Sequence, residues 1–250
     1  LEFARLGYMW ALMALLGFVV MTGWTKLTLT QSTTLALIST ADTTVKQGTP
    51  NTNQGAETIL RVQQSGSNRA VVRFDQQALE QAIGNTSIRS AKLRLFITTN
   101  GNNWGADGRE VNVHRLTQVW TEAGATWNCP SDTNTSNSSP DCSPGWDMGG
   151  SSLPPFVTAP TQVILHQNNQ TGWVEWNVTD DVRKFLGHQM NNYGWIIRKD
   201  DEGASGQVDY ASRENTNPPP LVVELGETVP QGGSGLTAIC DADGRSGAVR

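Results

Sequence analysis

The chain has 250 residues, a formal net charge of −5 and a charged fraction of only 16%. That balance excludes nucleic acid as a partner, since binding it requires a basic face. The polar surface comes mainly from Ser, Thr, Asn, Gln and Gly, with little lysine, a composition common in secreted β-proteins and adhesins.

The run Leu6–Trp24 carries no charge over nineteen residues. As a helix it would span roughly 28 Å, close to the ~30 Å hydrocarbon core of a bilayer. Tyr8, Trp10 and Trp24 sit where interfacial aromatics sit, and Arg5 and Lys26 bracket the run. A packed core helix would keep one polar face, and this run has none. The pattern predicts a hydrophobic helix over residues 1–25, extending as far as about 38 if a weak apolar stripe continues it, with 26–39 as connector. A cleavable signal peptide fits least well, because the apolar region is long and no small-x-small site follows at once. A membrane anchor and an assembly helix remain.

The start Leu1-Glu2-Phe3-Ala4, with a lone carboxylate ahead of an apolar helix and Leu1 in place of Met, resembles the mature N-terminus of type IV and Tad-type pilins and pseudopilins. Here the glutamate is second rather than fifth, and Arg5 is an addition to the pattern. The resemblance implies a filament core of parallel helices, inserted in the membrane before assembly. Contacts with other copies would run through Glu2, Phe3, Arg5, Leu6, Tyr8, Trp10, Leu12, Leu15, Leu16, Phe18, Val19, Val20 and Trp24.

From residue 34 the text becomes that of a β-protein. Thr34–Ile38 alternates like a strand but also fits the helical stripe. Asp42–Val45 runs into the turn-rich segment Gly48–Gly55. Strands are then predicted at Thr58–Val62, Ala70–Phe74, Ala91–Thr98, Val111–Leu116, Val163–Leu165, Trp173–Val178, Gly194–Arg198, Val208–Ser212 and Leu221–Leu225. Short helices are predicted at Asp75–Ile83 and Asp180–Leu186. Short strands at this spacing indicate a mainly β fold, an antiparallel jelly-roll-like β-sandwich over 40–226 following the N-terminal helix. Residues 227–250 form a Gly-rich tail.

Several segments, in order, are similar to the DNRLRE-domain family. They are Ala41–Val45 with Pro50–Gly55, Leu60–Val62, Val72–Asp75, Ile88–Leu95, Trp120–Glu122 with Thr126–Asn128, Trp173–Thr179, Asn192–Trp195, and Tyr210–Glu214 with Pro220–Val223. The resemblance implies a jelly-roll-like sandwich of a secreted or cell-surface protein, in a family some of whose members are classed as carbohydrate-binding modules. The long Ser/Asn/Pro-rich insertion Cys129–Pro160 departs from the family pattern.

Catalytic signals are thin. His114, His166 and His188 have no metal-site spacing, and neither a nucleophile elbow nor a phosphate loop occurs. The clusters Asp180-Asp181 and Asp200-Asp201-Glu202 read as solvated turns or cation sites. No cofactor is required. Structural calcium is the one metal considered, because it takes oxygen ligands from loops. Asp42, Asn53 and Asp75 are its candidates, against the alternative that such residues cap turns.

Trp120, Trp127, Trp173, Trp176 and Trp195 fall in or beside strand motifs and are expected in packing. Trp104 and Trp146 sit in Gly/Asn/Pro loops, where an exposed indole stacks on a sugar or buries against another subunit, or else lids the sandwich edge. Cys129 and Cys142 bracket a polar loop and suit a disulfide, leaving Cys240 over. Five N-x-[ST] triplets begin at Asn85, Asn134, Asn137, Asn169 and Asn177.

The leading expectation is therefore a non-enzymatic, pilin-like subunit of an extracellular surface filament, a homopolymer displaying its sandwich outward. The alternative is a membrane-anchored carbohydrate-binding module or adhesin with polysaccharide as partner. An enzyme is the third reading.

Overall fold

The computed structural model describes residues 32–63, 67–149 and 154–226. The expected N-terminal helix with its assembly residues, Glu2 through Trp24, and the tail 227–250 lie outside the described residues. Among the described residues no helix is long and apolar enough to cross a membrane.

Among the described residues eleven strands form one antiparallel sheet. They are β1 (Thr34–Ile38), β2 (Ala41–Lys46), β3 (Ile59–Gln63), β4 (Asn68–Arg73), β5 (Ile88–Asn100), β6 (Arg109–Arg115), β7 (Gln162–His166), β8 (Gly172–Asn177), β9 (Trp195–Lys199), β10 (Gln207–Ala211) and β11 (Pro220–Leu225). The order is β1-β11-β5-β10-β3-β4-β9-β6-β7, with β2 added on β4 and β8 on β5. β1 is a strand, paired with β11 from Thr34↔Glu224 to Ile38↔Pro220, so Thr34–Ile38, which fit strand and helical stripe alike, belong to the sheet. Strands β3 and β4 share only the Gln63↔Asn68 pair, and there the sheet turns back on itself. The sandwich is thus a single sheet curled into two layers.

The pleat explains the layering. Along β5, Leu93, Leu95 and Ile97 are buried, while Lys92, Arg94 and Phe96 face the other way. These inward residues pack with Val208, Tyr210 and Leu221 of their own layer, and with Val72, Val111, Val113, Trp195 and Ile197 of the other. Several polar atoms inside this core are partnered, while His166 Nδ1 is buried without a hydrogen-bond partner. The Trp176 indole donates to the Val111 carbonyl at 3.1 Å and the Trp195 indole to Asp181 at 2.9 Å. The Tyr210 hydroxyl lies 2.6 Å from His166 Nε2. Burial pushes His166 down to about 4, which keeps its ring neutral.

The described residues also hold two short helices. In α1 (Gln76–Ile83) Asp75 is the N-cap, accepting from the Ala78 amide at 2.7 Å. In α2 (Thr179–Leu186) acidic Asp180 and Asp181 occupy the first turn, and Val182 and Phe185 are buried.

A second core lies on the far side of the β4-β9-β6 layer. Ala41, Val45, Val71 and Ile196 meet Leu116, Trp120, Ala125, Trp127, Trp146, Met148 and Phe156 there. The insertion expected only as a polar loop therefore supplies a lid. Cys129 and Cys142 are joined within it as expected. Arg69 reaches out of β4 into this lid, making two 2.7 Å bonds to Glu202 and lying 4.8 Å from the Trp127 ring centre.

Gly194, just before β9, has φ +79°, and a Cβ there would stand 2.1 Å from the Val72 carbonyl oxygen. Gly194→Ala is expected to destabilise the domain by more than about 1 kcal/mol, read as a lowered thermal midpoint.

Candidate functional site

Among the described residues, one layer of the sandwich is lidded and the other is bare. On this layer the outward residues of β1, β5 and β8, with Val222 and Glu224 of β11, are exposed or half-buried. Ile38, at the end of β1, is 49% exposed. β5 and β8 pair so that Arg94 faces Glu175 and Phe96 faces Trp173. Trp173 is 38% exposed, and no other described tryptophan is.

The surroundings of Trp173 hold its ring in place. Phe96 meets it edge-on with ring centres 5.2 Å apart, and the Arg94 guanidinium carbon lies 5.0 Å from the ring centre. Glu175 in turn contacts Arg94 Nε at 2.9 Å and Lys92 Nζ at 2.7 Å. The result is a flat apolar plate beside two cationic donor groups tethered by one carboxylate. Where this face ends, a polar groove of about 340 Å³ is lined by Ser90, Gln162, Asn177, Asp180 and Arg183 among others. Amide, hydroxyl, carboxylate and guanidinium groups in one groove match the donors and acceptors of sugar hydroxyls.

The loop tryptophans lie elsewhere. Trp104 is 0% and Trp146 5% exposed. The Trp104 indole donates to Asn100 at 2.8 Å, with Lys199 5.8 Å from its ring centre, and the Trp146 indole donates to the Thr126 carbonyl at 2.7 Å. With the N–H satisfied and the ring covered, neither presents a face to a sugar. Both act as lids, the other use open to them. The five sequon asparagines are all exposed.

Of the calcium candidates, Asp42 and Asn53 each bond to Glu122, the first through its amide and the second through its side chain, without meeting as a ligand set. Asn53 donates to the carbonyls of Glu122 and Ala125 at 2.7 and 2.8 Å, and its Oδ1 accepts from Gly55, so its side chain fastens a loop. Asp75 is spent capping α1. Asp42 instead meets Glu122 and Glu214, each offering a carboxylate oxygen within 4.8 Å of the others. Burial first, then repulsion from Glu214, pushes the Asp42 carboxyl from 3.8 up to about 7, against the pull of the Arg213 amide and the Ser39 hydroxyl.

Trp173 was hidden among the tryptophans expected in packing. One signal exposes it: Trp173 and Trp176 are three apart on a strand and must point to opposite faces. Glu122 and Glu214 stand in segments similar to the DNRLRE-domain family but carried no signal as partners of Asp42, since only the fold brings them there.

Two outcomes follow. Trp104→Ala and Trp146→Ala should each cost about 3–5 kcal/mol in chemical denaturation, as buried-tryptophan truncations do. The folded state holds the Asp42 proton where the unfolded chain has released it, so this group's effect is to lower stability as pH rises from about 4 to about 7. In metal-free buffer the thermal midpoint of Asp42→Asn should therefore gain on wild type across that range.

A search of curated proteins finds no match to the chain. The profile of carbohydrate-binding module family 96 matches residues 33–144 and 154–225, which takes in every strand of the sheet and, between the first and the last strand, leaves out only the middle of the insertion. A match over most of the chain, on a curled antiparallel sheet with one bare face, fixes the assignment: this protein belongs to carbohydrate-binding module family 96.

Proposed function

We propose that this chain is a non-catalytic module that holds a polysaccharide on the bare face of β5 and β8. The observation that carries the reading is the 38%-exposed Trp173 held between Phe96 and Arg94 on the unlidded layer. A pyranose packs the C–H face of its ring on the indole, while Arg94 and Lys92 donate to its oxygens and Glu175 accepts from its hydroxyls. The adjoining groove at Asn177 and Arg183 takes the next sugar of the chain.

Family membership supports this reading over a filament subunit, since the filament rests on residues 1–25, outside the described residues. A disulfide within the lid suits an extracellular setting. Exposed sequon asparagines leave room for glycans of the protein's own, on loops away from Trp173 at Asn85, Asn134 and Asn137.

The test is a screen of the full chain against soluble acidic and neutral polysaccharides, followed by calorimetry on the best binder. Trp173→Ala and Arg94→Ala are expected to weaken binding by roughly tenfold or more with the thermal midpoint little changed. Binding that survives both substitutions would move the site off this face, and no binding to any polysaccharide would remove the proposal.

A further inference from the structure

We propose that Asp42, Glu122 and Glu214 form a site for one divalent cation of the hard, oxygen-seeking kind, with calcium as its occupant. The three carboxylates come from three separate segments, β2, the loop after β6, and the connector between β10 and β11. Each offers an oxygen within 4.8 Å of the other two.

Charge bookkeeping points to a divalent ion. The positive group inside the cluster is Arg213, whose Nε lies 2.7 Å from Glu122 and 3.0 Å from Glu214. With Asp42 ionised, three carboxylates less one guanidinium leave a charge of −2, which one divalent ion neutralises.

An independent observation comes from Asp42 itself. It is only 1% exposed. Its Oδ2 accepts from the Ser39 hydroxyl at 3.1 Å and the Arg213 amide at 2.9 Å, but its Oδ1 is buried with no hydrogen-bond partner. A buried carboxylate oxygen left without a donor is costly, and buried polar groups are almost always matched. A bound cation supplies the missing partner.

The frame around the cluster is already set. The Asp42 amide donates to Glu122 Oε1 at 2.8 Å, and Asn53 holds the Glu122 carbonyl. Gly55 packs so closely that a Cβ would stand 2.4 Å from that same carbonyl oxygen. Glu122 is therefore fixed by backbone before any ion arrives. Calcium fits better than magnesium, because it accepts about six to eight oxygens in irregular geometry and lets water complete its shell, whereas magnesium demands near-ideal octahedral geometry. Zinc prefers the His and Cys ligands that this cluster lacks.

The full chain, stripped with a chelator and titrated with calcium chloride, tests this by calorimetry and thermal unfolding. One saturable site is expected, with a dissociation constant on the order of 10⁻⁴ M. About 1 mM calcium should raise the midpoint by about 3 °C, with a much smaller rise from magnesium. Glu214→Gln changes an exposed residue, so it should fold as wild type yet bind calcium roughly tenfold more weakly. Asp42→Asn should weaken binding further while keeping its β-sheet circular dichroism. The proposal is overturned if wild type shows neither heat nor midpoint shift at about 10 mM calcium, or if both variants bind calcium as tightly as wild type. The cluster shares no residue with the Trp173 face, so failure here leaves the glycan reading untouched, and the reverse holds too.

Discussion

The pleat of β5 governs the molecule. This thirteen-residue strand has β8 on one edge and both β11 and β10 on the other, and its inward residues reach across to the opposite layer. Because side chains alternate strictly, placing Leu93, Leu95 and Ile97 in the core forces Lys92, Arg94 and Phe96 outward together. Shifting the register by one residue would bury two cations and expose three aliphatic side chains. Core and candidate binding face are two sides of one constraint.

The second layer shows what the chain does when an outward face is apolar. Val71 and Ile196 would otherwise meet water. The insertion covers them with Trp146, Met148 and Phe156, beside Trp127 just ahead of it, and Arg69 threads between this lid and Glu202. The polar text of Cys129–Pro160 supplies turns, while its few large residues supply the contact. Asymmetry between a lidded and a bare layer then singles out the face with Trp173.

Much of the sheet could be read from the sequence because period-two alternation is local. Leu93-Arg94-Leu95-Phe96-Ile97 announces both its strand and its inward face. Asp75 and Asp180 announced helix starts for the same reason. Thr34–Ile38 could not be decided alone, since strand and stripe fit equally until β11 is there to pair with. Trp104 and Trp146 looked exposed because their neighbours are Gly, Asn and Pro. What buries them comes partly from afar, as with Lys199 beside Trp104 and the Thr126 carbonyl above Trp146. Asp42 was legible as an unusual residue, but its companions Glu122 and Glu214 arrive through folding. Local pattern gives elements and faces, and convergence between distant loops gives sites.

The placement of Trp173 on a strand, rather than on a loop tip, has a thermal consequence. Its neighbours are held by the ladder that pairs Phe96 with Trp173 and Arg94 with Glu175, the same ladder that carries the core. A loop-borne site can melt while its scaffold persists, because opening a loop breaks few contacts. Here, opening the face means unzipping β8 from β5, which uncovers Val174 and Trp176 as well. The Trp173 face and the fold therefore fail as one cooperative unit on heating, and a ligand held on that face would stay held up to the temperature at which the module unfolds.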